Sequence, residues 1–109
     1  MRVEEPEPRR FVVVPSGELD MATTPVLDRA VGEVLARDEV AALVVDLTGV
    51  RFMDSSGIRA LLQARNAVAE RGAQFSLTRP SEQVAVVLRA AALDHIFDID
   101  GHGQPPLEV

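Results

Sequence analysis

The chain contains no cysteine and no lysine, so all 11 of its basic residues are arginine. Without cysteine there is neither a disulfide frame nor a thiolate site, a composition that suits a reducing cytoplasm. Without lysine the phosphate-cradling loop G-x-x-x-x-G-K-S/T cannot occur, and intrinsic ATP hydrolysis is not expected. No apolar run approaches the ~18 residues of a membrane span. The leading MRVEEPEPRR carries three glutamates and two prolines and no apolar core, unlike a signal peptide. A cytoplasmic protein without membrane insertion is therefore expected. Positive charge is in deficit: 17 acidic residues against 11 basic ones give a net charge of −6. Nucleic acid and anionic membranes bind through clustered cations, so neither is expected as a direct partner.

What is present fits one small domain: 109 residues, of which 47% are hydrophobic, can bury a single core. Residues 1–10, with Pro6 and Pro8, read as an extended or mobile lead-in, 11–100 as the domain, and 101–109 as a flexible tail. Phe11 to Val14 reads as a strand stopped by Pro15, Ser16 and Gly17, from which Glu18, Leu19 and Asp20 lead out. Thr23 or Thr24 before Pro25 starts a helix to about Arg37, with Val26, Leu27, Ala30, Val31, Val34 and Leu35 on its apolar stripe. Leu43 to Leu47 reads as a strand covered on both faces, because the apolar residues Leu43, Val44 and Val45 run together instead of alternating.

The connection from Thr48 reads as short and polar, and a second helix follows from about Ser55 to Glu70, stopped at Gly72. Ala73 to Leu77 is a further strand. Pro80 and Ser81 open a third helix ending near Ala92 or Leu93, and Ile96, Phe97 and Ile99 suggest a last short strand. Alternating strands and helices with crossover-length connections give the α/β class, with a small, mostly parallel sheet and helices packed on it.

The chain centres on Asp54, Ser55, Ser56 and Gly57, where strand period gives way to helix period. A helix start leaves backbone N–H groups unpaired and partly positive, so it suits a capping side chain and equally a phosphate. Plain capping by Ser55 or Ser56 is the simplest reading. A serine hydrolase would need a base, yet His95 and His102 lie in a terminal segment and tail, and no G-x-S-x-G elbow occurs. His95, beside Ile96 and Phe97, reads as a partly packed structural residue. Asp20 and Asp54 would form a carboxylate pair only if their loops meet, and turn or cap duty is their default. No metal and no cofactor is expected.

The run Gly17-Glu18-Leu19-Asp20, a helix, a strand ending Val45-Asp46-Leu47, and then Phe52-Met53-Asp54-Ser55-Ser56-Gly57 resembles the STAS domains, specifically the stand-alone bacterial anti-sigma factor antagonists. The resemblance covers about Phe11 to Ile99. It implies a small sheet of mostly parallel character with helices on one side, often with an extra N-terminal strand. It also implies a non-enzymatic antagonist that binds an anti-sigma factor serine kinase and so releases a sigma factor. Phosphorylation of Ser55 by that kinase would end the binding, and a serine phosphatase would reset it. Asp20, Asp54, Ser56, Gly57, Ile58 and Arg59 would meet the partner. Relatives often carry glycine where this chain has Arg59. Another use of the same fold is as an unphosphorylated accessory or scaffold domain on a transporter ATPase or sensory complex.

Overall fold

A computed structural model describes residues 1–37 and 39–100. Strands β1 (Arg2–Glu7), β2 (Arg10–Val14) and β3 (Ser16–Leu19) lead into helix α1 (Thr24–Arg37). Then come β4 (Ala42–Asp46), β5 (Gly49–Met53), α2 (Ser55–Glu70), β6 (Gln74–Thr78), α3 (Glu82–Ala90), a 3-10 turn at Leu93–His95, and β7 (Asp98–Asp100). The expected tail at 101–109, with His102, lies outside the described residues.

The main sheet has five strands in the order β1-β2-β4-β6-β7. β2, β4, β6 and β7 run parallel, and β1 pairs antiparallel with β2 at one edge. The lead-in thus forms an edge strand. Its register slips between Glu4 and Glu7, around Pro6, which lacks the N–H a ladder needs.

Side chains alternate across the sheet. Phe11, Val13, Leu43, Val45 and Leu77 point into the core and are buried, while Val12, Val44 and Ser76 on the other face are half-buried. Leu27, Val31, Val34 and Leu35 of the expected α1 stripe and the α2 stripe of Ala60, Leu61, Ala64 and Val68 join the core cluster, Ala30 packs partly buried against it, and Val26, one position off the inward face, stays exposed. α1 packs on α2, and α2 on β6. Burying each large aliphatic side chain contributes roughly 1.5–3 kcal/mol. Gly72, with φ 75°, takes the left-handed position after α2, which glycine adopts without Cβ strain.

Three local expectations are revised. Thr23 does not cap α1: its hydroxyl donates to the Glu18 carbonyl oxygen at 2.7 Å and accepts from the Asp20 N–H at 3.0 Å, closing the turn before the helix. His95 is 84% exposed at its side chain, because Leu93 and Phe97 take the buried positions and Phe97 packs on Phe75. Ile96 and Phe97 precede the last strand instead of joining it.

The fourth revision concerns the site. The connection after Thr48 contains a strand, β5, and the residues leading out of Pro15 form another, β3; the two pair in parallel as a separate small sheet. Gly17 faces Val50, but the next pair is Glu18 with Phe52, so Arg51 is an extra residue in β5. Such a bulge reverses the alternation. Val50 and Met53 both point inward, whereas Arg51 and Phe52 both stay exposed.

The turn before β5 is held by Asp46, which is buried at the end of β4. One carboxylate oxygen accepts from the Thr48 hydroxyl at 2.6 Å and N–H at 3.0 Å, and the other from the Arg79 guanidinium at 2.9 Å. Burial pushes the Asp46 carboxyl up, but the Thr48 bonds and Arg79 outweigh it and hold it below its ordinary value. A lowered carboxyl pKa contributes stability above the unfolded value, about 3.9, that is lost as pH falls through the folded value. Asp46→Asn is therefore expected to lower Tm at pH 7 and to narrow its gap from wild type below about pH 4. Parallel thermal melts across pH check this, and an equal gap at every pH contradicts it.

Candidate functional site

At the start of α2 the orphaned backbone donors find a side-chain partner one residue before the serines. Asp54 is the N-cap, in extended conformation at φ −110° and ψ −166°. Its Oδ1 accepts from the Ser56 N–H at 2.9 Å and from the Gly57 N–H at 3.3 Å. The cap expected of Ser55 or Ser56 is thus supplied by aspartate. Ser55, in the first helical position, is exposed, and its hydroxyl forms no hydrogen bond among the described residues. Ser56 is half-buried and turned to the cleft between α1 and α2.

Gly57 is buried, so it does not offer a surface to a partner. A Cβ there would lie 2.5 Å from Met53 Cγ and 2.6 Å from the Leu19 carbonyl oxygen. Only glycine lets α2 approach the β3–β5 pair this closely. The Asp54 N–H also donates to that carbonyl at 3.3 Å, so the end of β3 touches both the cap and the first turn.

The register of the small sheet brings the two predicted carboxylates to one place. Leu19 faces Met53 in parallel strands, and Asp20 and Asp54 each follow directly. Each closes its own turn in this arrangement. Asp20 Oδ1 accepts from the Ala22 N–H at 3.0 Å and the Thr23 N–H at 3.1 Å, as Asp54 does for Ser56 and Gly57. Among the described residues no group of three or more acidic, histidine or cysteine side chains is placed to hold a metal.

Two apolar residues beside these caps escaped the sequence reading. Met21, after Asp20, is 76% exposed, and Phe52, two before Asp54, is 51% exposed. Met21 lines a cleft with Thr24 and Asp28 of α1 and Ser56, Arg59 and Gln63 of α2. Ile58 is half-buried against the core, and Arg59 is exposed. The result is a surface in which a free hydroxyl is bordered by uncovered apolar side chains and charges of both signs. The signal for Met21 was an apolar residue inside a turn; for Phe52 the bulge hid it.

A mixed, mostly parallel sheet crossed by helices, with an aspartate-capped D-S-S-G helix start beside a second turn, defines the class. The chain belongs to the STAS domain family, whose sequence profile matches residues 2–104. Within that family it groups with the anti-sigma factor antagonists.

RsfB, an anti-sigma-F factor antagonist of Mycobacterium tuberculosis, is 39% identical over 81 residues. The match covers 74% of this chain and 65% of RsfB, just under two thirds of that relative's length. The crystal structure of an anti-sigma factor antagonist from Mycobacterium paratuberculosis matches with a TM-score of 0.80 at 30% identity, covering 94% of this chain and 85% of that one. The Bacillus cell fate determinant SpoIIAA in its phosphorylated form matches with a TM-score of 0.72 over 94% of this chain and 91% of its own. At 20% identity that likeness concerns the fold alone. No helix among the described residues is long and apolar enough to cross a membrane.

Proposed function

We propose that this protein is a cytoplasmic, non-enzymatic anti-sigma factor antagonist that binds an anti-sigma factor serine kinase, releasing a sigma factor, and is switched off by phosphorylation of Ser55. The observation that carries this reading is the division of labour at the helix start. Asp54 takes the structural duty of the cap, which leaves Ser55 exposed with no structural task. Asp20, Asp54, Ser56, Ile58 and Arg59 frame the contact surface, joined by Met21 and Phe52. Gly57 supports it from beneath. A fold neighbour that exists in a phosphorylated form is consistent with the reading.

In the transfer, the Ser55 Oγ attacks the γ-phosphorus of ATP bound to the kinase. The Oγ–P bond forms, the bond to the bridging oxygen breaks, ADP leaves, and the hydroxyl proton passes to a base on the kinase. The product carries roughly −1.5 to −2 additional charge units. That charge stands near Asp54 and Asp20, and a partner docking there must desolvate it. Hydrolysis of the phosphoserine by a serine phosphatase restores the hydroxyl.

The test is transfer of labelled phosphate from ATP by the cognate kinase. Ser55→Ala is expected to abolish labelling and Ser56→Ala to retain it. Label that persists in Ser55→Ala and disappears in Ser56→Ala overturns the assignment.

A further inference from the structure

Arg59 stands one helical turn beyond Ser55 on α2, is exposed, and forms no ion pair among the described residues. Residues four apart on a helix are neighbours on one face, and the favourable order for an ion pair places the acid N-terminal to the base. A phosphate on Ser55 would be that acid. Two of the donors a helix start ordinarily offers an anion are already in use, since the Ser56 and Gly57 N–H groups bond to Asp54 Oδ1.

Among the described residues that line this cleft, Arg59 is the one cation. Asp54 caps the helix, Asp20 follows the paired end of β3, and Asp28 of α1 lines the same cleft as Ser56 and Arg59. Arg51 on β5 is engaged with Glu18 at 3.3 Å, and Arg65 lies nearly three turns further along α2. A guanidinium presents a planar fork that matches two phosphate oxygens at once.

We infer that Arg59 is the intramolecular receptor for the Ser55 phosphate: it clamps the modified side chain and, in doing so, withdraws from the docking face the cation that the unmodified protein shows beside Met21 and Ser56. This rests on Ser55 being the modified residue. Modification then alters the surface twice, adding an anion and removing a cation. In the unmodified protein Arg59 is free to meet an acidic group of the partner.

The experiment uses the full chain with phosphoserine genetically encoded at position 55, so that no kinase is needed. Phosphorus NMR titrations compare it with the same protein carrying Arg59→Gln, an exposed replacement of similar helix propensity. A neighbouring cation favours the dianion, so the second phosphate ionisation is expected about half a pH unit or more lower with Arg59 than with glutamine. Arg59→Lys is expected to fall between, and the Arg59 Nε resonance to move on phosphorylation. Coincident titrations together with an unmoved Nε resonance overturn the clamp. The kinase reading fails separately: absence of Ser55 labelling by the cognate kinase would remove the switch, whereas a titration difference would still establish the pair.

Discussion

Gly57→Ala is expected to destabilise the protein by roughly 2 kcal/mol or more, within or beyond the usual cost of overpacking a core. For a domain of this size that lowers Tm by about 10 °C. The direction is opposite to ordinary helix propensity, which favours alanine over glycine by about 1 kcal/mol in a helix interior. Geometry decides between them. The added methyl would meet the Leu19 carbonyl oxygen at 2.6 Å, and that atom belongs to backbone already bonded to the Asp54 N–H. Met53 can swing its side chain aside, whereas the Leu19 carbonyl moves only if β3 moves. Thermal unfolding provides the check, and a Tm equal to or above wild type would show that α2 can slide away without loss. Because β3 carries Asp20 and Met21 at its end, the same substitution is expected to weaken partner binding at temperatures where the chain remains folded.

Ser55→Asp is expected to do the reverse, leaving the fold intact and removing binding. Ser55 is exposed and makes no side-chain hydrogen bond among the described residues, so replacing it breaks none there. A carboxylate in the first turn gains on the order of 0.3–1 kcal/mol from the helix dipole, offset by repulsion from Asp54 next to it. Tm should stay within a few degrees. Binding to the proposed anti-sigma partner should fall by on the order of 100-fold, because docking must desolvate the added carboxylate and loses the Arg59 cation drawn to it, a disruption of interfacial charge that costs several kcal/mol when each 1.4 kcal/mol is a factor of ten. Calorimetric titration beside a thermal melt separates the two effects. Undiminished affinity of Ser55→Asp would mean that charge at this position does not govern docking.

The central strands of the main sheet and the helices were legible because each carries a pattern set by its own packing. The α1 stripe, the continuous apolar run of β4 and the glycine that ends α2 each follow from local chemistry, and their observed bounds fall within a residue or two of those expected. β5 was not legible. Its buried residues, Val50 and Met53, are three apart, which fits neither strand alternation nor a helix of this length, and the cause is a bulge at Arg51 defined only by pairing with β3. The cap was misplaced for a related reason. Asp54, Ser55 and Ser56 are all good capping residues, and which of them meets the helix donors depends on where β5 delivers the chain. Met21 and Phe52 went unnoticed because exposure is a tertiary property, and an apolar side chain in sequence reads as core.

The pairing of β3 with β5 joins residues more than thirty positions apart, with Ser16 opposite Gly49, and the D-S-S-G turn is shaped by that union. Contacts of such long sequence separation must first overcome the entropy of closing the intervening chain. During synthesis, a nascent chain that has exposed β3 but not β5 therefore displays Asp20 and Met21 without Phe52 or Ser55 beside them. The proposed contact surface arises only once both strands have met, so a partner that requires the whole surface would engage finished molecules and pass over incomplete ones.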